Sequence, residues 1–176
     1  MTDAIHRLKA EVIKNFGTPC LVIDLDVVER NIQRAQNLCD AAGVANRPHI
    51  KTHKSPLLAK MQIEAGACGI TCQKLGEAEV MADAGITDII VATNLLGAAR
   101  SGRLASLQRR LALKVCADNP VVLDAYSQAA HEAGRALDVM IECDTGQKRA
   151  GVETPGEALA LAQIINNDPM LNFAGL

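Results

Sequence analysis

The chain has 176 residues, 49% of them hydrophobic, a formal net charge of −2, and only two Phe, one Tyr and no Trp. That length holds one domain with a sizeable core, which must be built from Ala, Leu, Ile, Val, Met and Cys in place of aromatic bulk. No long basic run, no apolar stretch of spanning length and no signal-peptide core in MTDAIHRLKAEV is present, so nucleic acid and membrane are excluded as partners and a cytoplasmic protein is expected.

In chain order, short β-branched runs alternate with longer helical patterns. The run CLVIDLD (20–26) predicts a strand, and Asp26 with Glu29 predicts a capping-box start to the helix behind it. Val28, Ile32, Ala35, Cys39 and Ala42 share one face of that helix, and Gly43 ends it. NRPHIK (46–51) reads as a strand, followed by Ser55 as N-cap with Pro56 at the first helical position and a helix through 66. Then come a strand CGITCQ (68–73), a helix LGEAEVMADAG (75–85) and a continuous apolar strand DIIVATN (88–94), as in a parallel sheet covered on both faces. A helix around 98–109, a strand LALKVCA (111–117), a helix over 120–134 and a strand ALDVMIECD (136–144) follow. Thr154-Pro155-Gly156-Glu157 is a capping box opening the helix ALALAQIINN (158–167), and LNFAGL (171–176) is a last strand signal.

The βα unit thus recurs roughly six times, which argues for a parallel sheet flanked by helices, doubly wound or a (β/α) barrel. No GxGxxG or GxxxxGK[ST] follows any strand, and the lack of these nucleotide cradles shifts the choice to the barrel. A closed barrel needs eight units in about 250 residues. The expected fold is therefore α/β, an incomplete (β/α) barrel of about five to six strands. It is read as the front part of a longer enzyme, or as a sheet closed by association.

In such folds the chemistry lies at the carboxyl ends of the strands. Three segments end there in polar residues: His49 with Lys51, Gln73, and Asp144 to Arg149. Alternation puts His49 and Lys51 on one side of the sheet with Ile50 opposite, while Lys54 lies beyond, in the turn. A free amine on a strand tip can form a Schiff base with a carbonyl compound. The competing reading is a lysine stretched along a sheet rim. A zinc clasp through His49 and His53 would lack the one-face helical geometry such sites use, and no metal is assigned. Arg149 either meets an anion or a ring nitrogen, or pairs with Asp144. The six cysteines lie in apolar segments without a CxxC and read as buried free thiols.

Together, TPCLVIDLDVVERNI (18–32), RPHIKTHK (47–54), GITCQKLGEAEVMADAGITDIIVATN (69–94) and ECDTGQKRAGV (142–152) resemble the D-threonine aldolase and D-serine dehydratase family. These are pyridoxal 5'-phosphate enzymes of fold type III, with an alanine-racemase-like N-terminal barrel. The resemblance implies that Lys51 is the catalytic residue, carrying the cofactor as a Schiff base, and that Arg149 faces the pyridine nitrogen. His49 and Gln73 are implied neighbours of the cofactor. The implied activity is that of a lyase on D-3-hydroxy amino acids, cleaving a small-molecule D-amino acid to glycine and an aldehyde. D-serine dehydration to pyruvate and ammonia is the alternative, as is a non-catalytic remnant or cofactor-binding module. By the same resemblance, residues 1–25 go with an accessory β domain, 26–176 form the partial barrel, and the C-terminal β domain is absent. The divalent metal of the intact family would have its ligands outside this chain, and the family allows a homodimer.

Overall fold

A computed structural model describes residues 2–176, with side-chain surroundings from residue 5 onward. A first helix, α1 (Thr2–Phe16), and a second, α2 (Leu25–Ala41), precede a 3₁₀ turn at Ile50–Thr52 and helix α3 (Pro56–Glu64). Strict alternation follows: β1 (Ile70–Cys72), α4 (Leu75–Asp83), β2 (Asp88–Val91), α5 (Ala98–Gln108), β3 (Ala112–Ala117), α6 (Pro120–Ala133), β4 (Leu137–Ile141), α7 (Pro155–Asn167) and β5 (Leu171–Gly175). The sheet is parallel throughout and its spatial order is the chain order, β1 to β5. It stays open. The segment before α3 adds a single bridge, His49 to Thr71, on the outer side of β1.

Alternation along the strands divides the sheet into two unlike faces. Ile89, Val91, Leu113, Val115, Val139 and Ile141 are at most 2% exposed and pack beneath the helices against Leu104, Leu107, Leu123 and Tyr126. The opposite, concave face carries the register row Thr71, Ile90, Lys114, Asp138 and Asn172, and it is only half-buried or exposed. A βα unit buries the helix side of its strand by itself, whereas the concave side is covered only when a ring closes. For that reason β2, an unbroken apolar run in sequence, is fully buried at alternate positions only.

The helix starts follow the capping chemistry of the sequence. Ser55 caps α3 with Pro56 behind it. Glu157 N donates to Thr154 Oγ1 at 3.2 Å, and Thr154 N donates back to Glu157 Oε2 at 2.9 Å. Helix α2 corrects the expectation: its N-cap is Asp24, whose carboxylate accepts from Val27 N at 3.1 Å, and Asp26 is an acid in the first turn.

Two predicted strands also change. Residues 20–24 form no strand; Leu21, Val22 and Ile23 are 89%, 60% and 50% exposed, because no strand among the described residues lies beside them to pair with. The run 46–51 pairs only at its start, where Cys68 N and Thr71 N donate to the carbonyls of Asn46 and Pro48 at 2.9 Å each. It then tightens into the 3₁₀ turn, in which His53 N and Lys54 N both return to Ile50 O. The thiols differ from expectation as well: Cys20 and Cys68 are exposed, and only Cys72 is fully buried. Burial pushes the thiols of Cys72 and Cys116 up, to about 12 and about 11, so neither is a nucleophile at neutral pH.

Candidate functional site

All carboxyl ends of a parallel sheet share one rim, and every polar segment singled out in the sequence lies there. Lys51 sits inside the 3₁₀ turn at the end of its segment. Ile50 beside it is fully buried, while Lys51 is exposed and His49 half-buried. The segment is held from behind by Gln36 of α2, a buried side chain whose Oε1 accepts from Asn46 Nδ2 at 3.1 Å.

His49 caps the turn: its Nδ1 accepts from Lys51 N at 3.3 Å, and the Gln73 side chain lies beside the same ring. Burial and the positive charge of Lys51 hold the imidazole below its ordinary pKa, against opposing contributions from Gln73, Glu77 and Thr71. The ring is therefore neutral at pH 7, with Nδ1 as acceptor. His53 acts likewise, accepting from Ser55 N at 3.0 Å. Both histidines thus spend Nδ1 on a turn. Among the described residues no group of three His, Cys, Asp or Glu is arranged to hold a metal ion.

The two lysines of the motif differ in what surrounds them. Lys54, at φ +51°, places its ammonium 2.6 Å from Glu77 Oε1. The Glu77 side chain is 9% exposed, and its other oxygen accepts from Gln73 N at 2.8 Å and Lys74 N at 3.3 Å. Burial alone would raise the Glu77 carboxyl, but these hydrogen bonds and the Lys54 charge outweigh it and hold it below the usual range. Lys51 has no ion pair among the described residues.

Across the rim, the loop 144–151 follows β4. Asp144 does not pair with Arg149; its Oδ1 accepts from Gly146 N at 2.7 Å, and Arg149 is exposed without an ion pair among the described residues. The loop is pinched at its base by Asp144 N to Val152 O (2.8 Å) and Val152 N to Glu142 O (2.9 Å). Counting the 46–49 segment as the first sheet position, β4 is the fifth. In an eight-stranded barrel the first and fifth positions stand opposite each other. A cleft of about 600 Å³ opens on the same rim between Gln73, Glu77, Thr93 and Asn94; it takes in Lys54 and Gln73 but not Lys51, His49 or Arg149.

Several rim residues escape a reading of the sequence. Glu77 is the plainest, and its signal was present: Lys74-Leu75-Gly76-Glu77 sets an acid at the third helical position of α4. Asp118, directly after β3, accepts from Asn94 Nδ2 and Asn119 Nδ2 at 2.7 Å each and from Gly151 N at 3.1 Å. Only its position at a strand end hinted at this. Lower on the concave face Arg47 grips Asp88 through both guanidinium nitrogens at 2.9 and 3.1 Å, with Lys114 at 3.6 Å.

The fold and rim define a parallel α/β half-barrel whose polar residues gather at the strand carboxyl ends. The chain belongs to the alanine racemase N-terminal domain family, matched over residues 23–176. It is 44% identical over 164 residues to a D-threonine aldolase of Arthrobacter sp., covering 93% of this chain and 43% of that protein. It is 40% identical over 152 residues to a D-threo-3-hydroxyaspartate dehydratase of Delftia sp. strain HT23, covering 86% of this chain and 40% of the relative. The crystal structure of D-threonine aldolase from Filomicrobium marinum superposes with a TM-score of 0.88 at 40% identity, over 90% of this chain and 43% of that one. The chain therefore spans less than half the length of these relatives.

Proposed function

We propose that this chain is the lysine-bearing part of a pyridoxal-phosphate lyase acting on D-3-hydroxy amino acids, with retro-aldol cleavage to glycine and an aldehyde. The observation that carries the reading is the unlike state of the two motif lysines: Lys54 is bound to a largely buried carboxylate, whereas Lys51, at the strand-end rim, has no ion pair among the described residues. Support also comes from the opposed first and fifth sheet positions. The carbon bearing the cofactor's aldehyde and its ring nitrogen are para to each other, so an amine on one side of a barrel mouth and a guanidinium on the other suit its two ends.

The residues fit the cofactor as follows. Lys51 Nζ would hold its aldehyde carbon. Arg149 would face the ring nitrogen and keep it unprotonated, which makes the ring a weaker electron sink than a carboxylate partner would. His49, neutral and held to the turn by its bond from Lys51 N, would border the same space. Bound pyridoxal phosphate supplies electron withdrawal at the substrate Cα. The described residues offer no donor set for a divalent metal. Residues 1–25 are proposed to belong with a separate β domain, in line with the exposed, unpaired Leu21 to Ile23.

Dehydration is the second reading, favoured by the likeness to a dehydratase; product analysis separates them, glycine plus aldehyde against a 2-oxo acid plus ammonia. The site is tested by incubating the chain with pyridoxal phosphate, reducing with borohydride and mapping the label by peptide mass spectrometry. Label on Lys51, lost in Lys51→Ala and kept in Lys54→Ala, is expected. Label confined to Lys54, or none, refutes the assignment.

A further inference from the structure

We propose that Asp118 is a positioning residue that sets the loop carrying Arg149, and through it the surroundings of the cofactor ring; this rests on the function proposed above. Three neighbouring rim loops converge on its carboxylate. Oδ1 takes Asn94 Nδ2, from the loop after β2, and Asn119 Nδ2, at 2.7 Å each. Oδ2 takes Gly151 N at 3.1 Å, from the loop after β4 and two residues beyond Arg149. At the base of that loop, the bonds of Asp144, Gly146 and Val152 stay within residues 142–152, while Glu142 N continues the sheet ladder to Ala117 O at 2.9 Å. Among the described hydrogen bonds, Asp118 alone ties residues 144–151, beyond the end of β4, to another strand's end.

Capping α6 is not the task of Asp118. Asn119 is the N-cap, with its Oδ1 accepting from Val122 N at 3.1 Å. The Asp118 carboxylate is thereby left for the loops. Gly151 completes the fit: at φ +98°, an added Cβ would stand 2.6 Å from Asp144 N and 2.7 Å from Cys143 C. The chain at 151 is packed too closely against 142–144 for any side chain, so its N–H reaches Asp118 in one way only. Burial works against the charged carboxylate, but the hydrogen bonds from Gly151, Asn94 and Asn119 outweigh it and keep its pKa below the usual range. Asp118 is therefore an anion able to accept from all three donors. An amide in its place turns an N–H toward either Gly151 or the two asparagine amides, so at least one contact is lost whichever way it faces.

The test compares the unaltered chain with Asp118→Asn, Arg149→Gln, the double variant and the surface control Asp124→Asn. Without cofactor, amide exchange at Gly151 should quicken about tenfold in Asp118→Asn, the loss of one charge-assisted bond, with α6 unchanged. With pyridoxal phosphate, Lys51 is still labelled, but the absorption spectrum of the bound cofactor and its pH titration move to those of Arg149→Gln. In the Arg149→Gln background Asp118→Asn adds nothing further, whereas Asp124→Asn matches the parent throughout. Parent-like exchange and spectrum in Asp118→Asn overturn the proposal, as does an equal spectral change in the Arg149→Gln background. If exchange in α6 also rises, Asn94→Ser carries the test, with a smaller change in the same direction expected and no change overturning it. A parent chain unlabelled at Lys51 refutes the functional reading itself and the proposal with it, a result distinct from labelling that ignores Asp118.

Discussion

Replacing Tyr126 with Phe removes one oxygen from the middle of the helix–sheet layer and leaves the ring in place. Tyr126 is fully buried, and its hydroxyl accepts from Leu95 N at 3.2 Å while lying 2.9 Å from Cys116 O and 3.3 Å from Thr93 O. Its single proton goes to the nearer carbonyl. In Phe the ring packing is retained, but Leu95 N–H, on a residue only 5% exposed, loses its acceptor. An orphaned buried donor costs about 1–3 kcal/mol. The expected loss is thus about 2 kcal/mol, roughly a thirtyfold fall in the folded-to-unfolded ratio. For a chain of this size it lowers Tm by about 4–8 °C. Urea titration should show a lower midpoint at unchanged slope, since the surface exposed on unfolding is the same. Burial pushes the phenol pKa upward, so the hydroxyl stays protonated at working pH and the measurement is insensitive to mild alkali. A loss under about 0.5 kcal/mol would show that the hydroxyl is not the partner Leu95 depends on, and the account of the β2 loop would fail.

Three further outcomes follow from the concave face and the rim. Asp88 is partly buried, which alone would raise its pKa, but the hydrogen bonds and charge of Arg47, with Lys114, hold it below the usual range. Its stabilisation is then present above the unfolded-state value of about 3.9 and lost as pH falls through the lower folded-state value; Asp88→Asn should flatten the acid limb of a stability–pH curve, and an unchanged limb refutes the pairing. Gly69→Ala should cost about 2–3 kcal/mol, because its Cβ would meet the Arg47 guanidinium and lie 2.6 Å from Asp88 O; combined with Arg47→Met in denaturation experiments, the effects should be less than additive. Glu77→Gln should loosen Lys54 and bring borohydride-fixed cofactor onto it beside Lys51, read by peptide mapping; unchanged labelling would mean that Glu77 does not restrain that amine.

What the sequence made legible was local. Thr154 to Glu157 and Ser55-Pro56 announce helix starts because a cap and its partner lie within one turn. The β1 to β5 strands were legible because β-branched runs recur between helical periods. The misreadings have a common origin in pairing. Leu21 to Ile23 have strand chemistry, but a strand needs a neighbour, and none lies beside them among the described residues. The 46–51 run has its neighbour only as far as His49, beyond which Ile50 O is taken by two amides of its own turn. At the α2 start, Asp24 and Asp26 offered the same chemistry two residues apart, and only the helix geometry chose between them. The contacts that bind the rim and the lower concave face could not be read in advance for the same reason: Asp118 and Gly151 are 33 positions apart, and Arg47 and Asp88 are 41 apart. Lys51 and Arg149 were singled out as polar residues at strand ends, and the roles proposed for them rest on resemblance. Their separation along the chain gave no hint that their segments take the first and fifth positions of one sheet.

The spatial order of the sheet repeats the order of synthesis, with each strand docking beside its predecessor. Growth of this sort needs no distant partner to arrive before a unit can bury its own apolar side. A nascent chain can therefore condense one βα pair at a time as it leaves the ribosome, and the wetted concave row, with Lys114 beside Asp138, keeps such an intermediate from presenting a greasy trough to its neighbours.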